Sequence, residues 1–187
     1  MKFRINSLKE LTEKEQNFVR ETCILGDPVL DSYILQQKFF EKNMAGMLGK
    51  SKQKIWDDWH KGADGPGREP DGFLDLDIVG FWDSSRTIGG VSLWGKIQRI
   101  NRKILGTMRH KELFRHLVHE SFHKIGFYHK SFLWGRRDVA YRGGEAAEEA
   151  FKEYYKLDNI KISPSTLVEN IEKNSLVDDG LRNFAMA

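Results

Sequence analysis

Residues 119–129 read HESFHKIGFYH and hold three histidines and one glutamate in a regular spacing. His119 and His123 are four residues apart, so on a helix they lie one turn apart on one face, where two imidazoles can bind the same metal ion. Glu120 cannot reach that ion from the same face, but its carboxylate can take a proton from a water molecule bound there. The spacing therefore indicates a metal site with a base beside it.

The flanking residues predict the helix that this site requires. Apolar side chains recur at steps of three and four between residues 111 and 125, which makes one face of that segment apolar. Gly126 stands where the helix must end, since glycine adopts the left-handed backbone conformation without a side-chain clash. A tight turn there would bring His129 back toward the two helical histidines. Three neutral nitrogen ligands would leave the fourth tetrahedral position of a zinc ion open, as in catalytic zinc sites.

The pattern HExxHxxGxxH of residues 119–129 resembles the signature of the metzincin clan of zinc metallopeptidases. Its flanks are loosely similar to short metzincin-like proteins of bacteria and phages. The resemblance is specific over residues 117–129 and only architectural over residues 73–155. It implies one catalytic zinc ion held by the three histidines, with the glutamate as general base: His119, His123, His129 and Glu120.

Two residues beyond the motif are candidates for support of the reaction. The metzincin clan has a methionine-containing turn beneath the metal, and Met186 is the candidate here because no methionine lies between Met108 and Met186. Tyr141 would either pack beside the metal or donate a hydrogen bond to a developing oxyanion. Packing is the stronger expectation for Tyr141.

The other histidines are expected to stay off the metal. His116 lies three residues before His119, but a third helical ligand at that spacing would crowd one turn. His60 and His110 are expected to face the solvent. No histidine follows His129, so no later residue replaces it as third ligand.

The region before the zinc helix predicts a sheet. Residues 73–82, 87–98 and 104–108 have the alternating or β-branched pattern of strands. By resemblance to the metzincin domain, the middle strand would be an edge strand at the cleft, to which an extended peptide adds as one more strand. The alternative is a paired inner strand. The candidate residues of the substrate edge are Gly89, Gly90, Val91, Ser92 and Leu93.

Elsewhere the chain predicts helices separated by turns and loops. Residues 26–28, Gly-Asp-Pro, predict a break, and residues 29–40 are ambiguous, with a strand favoured at their end. Residues 62–72 and 130–144 predict loops. Four segments predict helices from their caps and apolar spacing: residues 12–23, 51–60, 145–157 and 163–174.

The chain as a whole has the size and composition of one domain. Its 187 residues are 40% hydrophobic, which is enough for one core. The expected fold is α+β and zincin-like, with a small twisted mixed sheet, an active-site helix and further packing helices. Its parts would be a helical N-terminal region, the sheet with the zinc helix, and a C-terminal loop with helices: residues 1–61, 73–129 and 130–187.

Charge, cysteine and hydropathy limit the partners. A net charge of +3 from 30 basic and 27 acidic side chains does not predict nucleic-acid binding. The single cysteine, Cys23, excludes an internal disulfide and is expected to be a small buried side chain. No stretch reaches signal-peptide or membrane-spanning length, which predicts a cytoplasmic protein, with secretion or release by lysis as the alternative. The protein is expected to be a monomer. Asp64 and Asp71 lack EF-hand spacing, so a solvated loop is favoured over a structural calcium site.

The sequence therefore predicts a zinc-dependent endopeptidase acting on peptides or proteins. Glu120 would accept the proton of the attacking water and return it to the leaving amine. The alternative is an interaction or toxin-like protein that binds zinc on the same fold without cleaving peptides. The uncertain methionine turn favours that alternative, whereas Glu120 argues against it because a purely structural site needs no base.

Overall fold

The computed structural model describes residues 1–62, 69–85, 88–91, 97–129 and 135–156. These residues form a mixed α+β structure with one four-stranded sheet, six α-helices and a short 3-10 helix. The elements in chain order are β1 Lys2–Lys9, α1 Glu13–Leu30, α2 Tyr33–Glu41, α3 Lys52–His60, β2 Phe73–Phe81, β3 Gly89–Val91, β4 Ile97–Asn101, α4 Arg102–Leu105, α5 His110–Lys124, the 3-10 helix Gly135–Arg137 and α6 Val139–Tyr154.

The sheet has the strand order β1-β2-β4-β3. β1 and β4 both pair in parallel with β2, and β3 pairs antiparallel with β4. The central strand β2 contributes three fully buried side chains to the core: Leu74, Leu76 and Ile78. Within the described residues β3 is thus one edge of the sheet.

Helices α5 and α6 pack closely and carry most of the candidate site. Gly143 of α6 lies so close to α5 that a Cβ atom there would come within 2.1 Å of Phe122 Cε2. Phe122 in turn stacks on Trp59 of α3 and Phe39 of α2, with ring centroids 4.9 and 5.7 Å apart. Trp59 also donates a 2.7 Å hydrogen bond from Nε1 to Ser121 Oγ. These contacts pack α5 against α2 and α3.

Several predicted elements are confirmed. Thr12 opens α1 with a full capping box, and α3 buries Ile55, Trp56 and Trp59 as expected. Strand β2 and helix α5 match the predicted segments 73–82 and 111–125 closely, and Cys23 is buried.

The predicted break at residues 26–28 is wrong, because α1 continues to Leu30. Gly26 serves close packing: a Cβ atom there would lie 2.7 Å from Phe114 Cδ2. Asp27 accepts a 2.8 Å hydrogen bond from the backbone N–H of Phe3 in β1. Pro28 falls in the last turn, where its missing N–H costs the helix a single hydrogen bond. The Gly-Asp-Pro sequence therefore reflects contacts with other elements rather than a turn.

The strand favoured at the end of residues 29–40 is also wrong, since this segment is helix α2. Ser32 caps its N-terminus, with Oγ accepting a hydrogen bond from Leu35 N at 3.2 Å. Leu35 and Phe39, four residues apart, are buried as one helical face. The first strand, β1, was not predicted at all.

Two predicted strands are replaced by other elements. Residues 87–98 are not one strand, because Val91 of β3 pairs with Gln98 of β4 and the two strands run antiparallel. Residues 104–108 are not a strand either, since Asn101 caps α4 by accepting a 3.1 Å hydrogen bond from Lys103 N. Ile104 and Met108 have helical spacing instead of alternation.

The last described helix, α6, begins at Val139, well inside the loop predicted for residues 130–144. Its inner face includes Ala147 and Phe151 as expected, whereas Tyr154 is exposed. Met186, Asp64, Ser92, Leu93 and the predicted helix 163–174 lie outside the described residues. In the part of the chain that is described, no helix has the length and hydrophobicity needed to cross a membrane.

Candidate metal centre

Helix α5 and the turn after it position three imidazoles. His119 and His123 lie one turn apart on α5, which ends with Ile125 as its C-cap. Gly126 has φ +96°, a left-handed conformation that favours glycine, and the chain reverses there. The backbone N–H of Phe127 donates back to Phe122 O at 3.2 Å. The turn predicted at Gly126 thus brings His129 beside the two helical histidines.

The Nε2 atoms of the three histidines converge on one point. They are 3.2 Å apart between His119 and His129, 3.2 Å between His119 and His123, and 3.1 Å between His123 and His129. Three nitrogens at the corners of a tetrahedron around zinc, each about 2.0–2.1 Å from the ion, are about 3.3–3.4 Å apart. Of all histidine, cysteine and acidic groups in the described residues, this triad is the one cluster arranged to hold a metal ion.

Two of the three imidazoles are held from their far side by a hydrogen-bond acceptor. His129 Nδ1 donates to Asp138 Oδ2 at 2.8 Å, and His123 Nδ1 donates to the backbone oxygen of Phe127. A proton on Nδ1 leaves the Nε2 lone pair available, as metal-binding histidines require. The residues present therefore fit a zinc ion.

Burial favours the neutral form of the two helical histidines. Loss of solvation, together with the neighbouring histidines, lowers the pKa of His119 to about 2. Desolvation likewise lowers the pKa of His123, partly offset by the hydrogen bond to Phe127 O. Because a metal binds the neutral imidazole, these environments favour metal over proton at neutral pH.

Glu120 lies next to the triad at the base of a cleft. Its side chain is 3% exposed, and Oε1 is 3.9 Å from His119 Nε2 and 3.4 Å from His116 Nδ1. His116 is buried and, as expected, is not part of the triad. A carboxylate in this position can exchange protons with a molecule held at the triad.

The cleft is bounded by β3 on one side and by α6 on the other. Gly89 and Gly90 of the edge strand line it, together with Ile88. The ring of Tyr141 lies against His119 and His129, with centroids 4.8 and 4.5 Å away. The cleft thus joins the triad, Glu120, an edge strand and a tyrosine in one open space.

Asp138 is the functional residue that sequence analysis missed. It is 3% exposed and uses both carboxylate oxygens, accepting from His129 Nδ1 through Oδ2 and from Tyr141 N through Oδ1 at 2.9 Å. It is therefore both the N-cap of α6 and the acceptor that orients His129. The available signal is an aspartate in a capping position before Val139, inside the segment that the sequence predicts as a loop, residues 130–144.

The expectation that His110 faces the solvent is wrong. His110 is 8% exposed, and Nδ1 lies 2.8 Å from Thr22 Oγ1. His110 is the first residue of α5, and it is buried because α5 packs against α1 there. His60 is half-buried and stacks on Trp56 with ring centroids 5.1 Å apart.

Comparison with known proteins adds no relative. No protein-family model matches the chain, and neither a curated protein nor a solved structure matches it at a significant level.

Proposed function

We propose that this protein is a zinc-dependent endopeptidase with a metzincin-like architecture. The observation that carries the proposal is the convergence of His119, His123 and His129 through Nε2 beside the buried carboxylate of Glu120. The triad alone would serve a structural or a catalytic ion. A base next to it, in a cleft open to a ligand, favours catalysis.

The chain's own groups divide the work of peptide hydrolysis. Bound zinc would supply Lewis acidity and lower the pKa of a water molecule toward neutrality. Glu120 would accept a proton from the attacking water and pass it to the leaving amine. Asp138 keeps His129 in the ligand tautomer throughout.

The substrate in this proposal is an extended peptide lying along β3. As an edge strand that lines the cleft, β3 can offer a peptide those of its backbone groups that do not pair with β4. Added-strand binding relies on main-chain hydrogen bonds, so it accepts many sequences and fits an endopeptidase.

The test combines zinc analysis with cleavage of a denatured protein mixture by the wild type, Glu120→Gln and Glu112→Gln. Glu112 lines the same cleft from α5, and glutamine still completes its capping box, so it is a matched control. We expect about one zinc per chain in all three proteins. Cleavage should fall by at least about 100-fold in Glu120→Gln alone, because a general base contributes about that much or more.

Other outcomes decide against the proposal. If all three proteins bind zinc and the wild type cleaves nothing, the protein is a zinc-binding interaction protein instead. If the wild type binds no zinc, the metal site itself is disproved.

A further inference from the structure

A buried histidine outside the triad, His116, lies against the proposed base, Glu120. His116 and Glu120 are four residues apart on α5, and His116 Nδ1 lies 3.4 Å from Glu120 Oε1. His116 is 7% exposed and borders the cleft, yet it does not belong to the metal triad. The zinc motif itself does not include this position, so the function proposed above leaves His116 without a role.

The environment of His116 determines which ring nitrogen carries its proton. Burial lowers its pKa to about 4, so the ring is neutral at neutral pH and holds one proton. With the proton on Nε2, the Nδ1 lone pair would face the Glu120 oxygen and repel it. With the proton on Nδ1, the same contact becomes an attractive N–H to carboxylate interaction.

The other ring nitrogen, Nε2, has no acceptor within the described residues that would favour a proton there. His116 Nε2 is buried and makes no hydrogen bond within the described residues. A buried N–H without an acceptor costs more than a buried contact that is satisfied, which again favours the proton on Nδ1. A separation of 3.4 Å is long for a hydrogen bond, but contacts between catalytic groups often shorten only when substrate binds.

We propose that His116 is a positioning residue that donates its Nδ1–H to Glu120 and fixes the orientation of the carboxylate for proton transfer. Its effect on hydrolysis rests on the peptidase function proposed above, whereas the contact itself does not. The side-chain bonds of Glu120 can rotate, and a donor on the preceding turn of α5 restricts that rotation. His116 thus acts on turnover without touching the metal or the substrate.

The contact is tested first without any substrate. A long-range ¹H–¹⁵N spectrum of histidine-labelled protein at neutral pH distinguishes the protonated from the bare ring nitrogen, and His116→Leu assigns the signal. We expect the Nδ1–H form of His116 in the wild type and a weaker preference in Glu120→Ala. The Nε2–H form in the wild type would overturn the proposal.

The effect on turnover is tested with an isosteric pair of variants. Asparagine and leucine have nearly the same shape, but only asparagine carries a donor near the position of Nδ1. In His116→Leu we expect unchanged zinc content and KM, with kcat lower by roughly 10- to 100-fold. His116→Asn should recover most of the lost kcat. His60→Leu is the control, a half-buried histidine outside the cleft.

The remaining outcomes are distinguishable. Wild-type kcat in His116→Leu, or equal loss in His116→Asn and His116→Leu, overturns the positioning role. Loss of zinc with unchanged turnover per bound zinc assigns His116 to metal retention and also overturns it. If the zinc-loaded wild type cleaves nothing, the peptidase function fails, and the tautomer spectrum alone then decides the contact.

Discussion

At the scale of single residues, the candidate metal site depends on the hydrogen-bond acceptors behind its histidines. Asp138 needs both of its carboxylate oxygens, because one caps α6 and the other accepts a hydrogen bond from His129 Nδ1. Without an acceptor beside Nδ1, no hydrogen bond would favour a proton on that nitrogen of His129. The proton would then occupy Nε2, and the ligand lone pair would point away from the triad.

We predict that Asp138→Asn weakens zinc binding by roughly 10- to 100-fold. Asparagine has one oxygen, and it caps a helix as well as aspartate does. The oxygen would cap α6 and the amide nitrogen would face His129 as a donor, favouring the wrong tautomer. Zinc affinity, measured by competition with a chelator, checks this.

Asp57→Asn is the matched control, since it makes the same charge change on the outer part of α3 and should bind zinc like the wild type. Equal zinc affinity in Asp138→Asn and Asp57→Asn would show that the Asp138 carboxylate does not support the ligand.

The difference between Asp138 and the motif residues shows what a sequence can predict about a site. His119, Glu120, His123 and His129 were predicted because helix geometry and one glycine turn determine their relative positions within eleven residues. Asp138 comes nine residues after His129 in the sequence, and its distance from the His129 ring depends on how α6 packs. No local periodicity encodes such a contact.

At the scale of elements, the site depends on the close approach of α5 and α6. Gly143 and Gly144 form the contact surface on α6, and a Cβ atom on Gly144 would lie 3.1 Å from His119 Cβ. A larger residue would push α6 away, together with Asp138 at its N-terminus. The two glycines therefore link helix packing to ligand orientation.

We predict that Gly143→Ala lowers the free energy of unfolding by roughly 1–3 kcal/mol, the usual cost of overpacking. Helix propensity alone would predict stabilisation by about 1 kcal/mol, so the sign separates the two effects. Urea denaturation measures the change. Gly106→Ala is the control, because a Cβ atom there would lie 3.6 Å from Arg102 O, an ordinary contact, and its effect should stay within about 0.5 kcal/mol. A stabilised Gly143→Ala would contradict the packing.

The elements that sequence analysis misassigned share a physical cause. Gly26 resembled a turn residue, but it is required by the ring of Phe114 from α5. The apolar residues around Ile104 suited either a strand or a helix, and the cap by Asn101 selected the helix. In each case one specific contact, and not the residue pattern itself, decided between two conformations that the pattern allowed.

At the scale of the whole molecule, buried neutral histidines make the fold sensitive to acid. His110 lies far from the metal triad and anchors the start of α5 against α1. Thr22 Oγ1 donates to Phe18 O, so it accepts from His110 Nδ1. Burial lowers the pKa of His110 from 6.5 to about 4. The Glu21 carboxylate, 3.7 Å from Nε2, is well exposed, and water screens it.

The sign of the pH effect follows from proton binding. Between pH 6.5 and about 4 the unfolded chain carries a proton on His110 that the folded chain excludes. Acid therefore favours unfolding, and the stability that neutral His110 contributes is lost as pH falls through this range. A difference of about 2.5 pKa units corresponds to at most roughly 3 kcal/mol.

We predict that His110→Asn removes this part of the acid sensitivity, because its amide can still donate to Thr22 but does not titrate. In urea unfolding with a chelator present, the wild type should lose up to roughly 3 kcal/mol more than the variant between pH 7 and pH 4. At pH 7 the wild type should be the more stable, since imidazole fills the space beside Phe18 better than an amide. If both proteins lost the same free energy of unfolding between pH 7 and pH 4, the prediction would be wrong. The folded chain would then accept a proton on His110 in contact with Glu21.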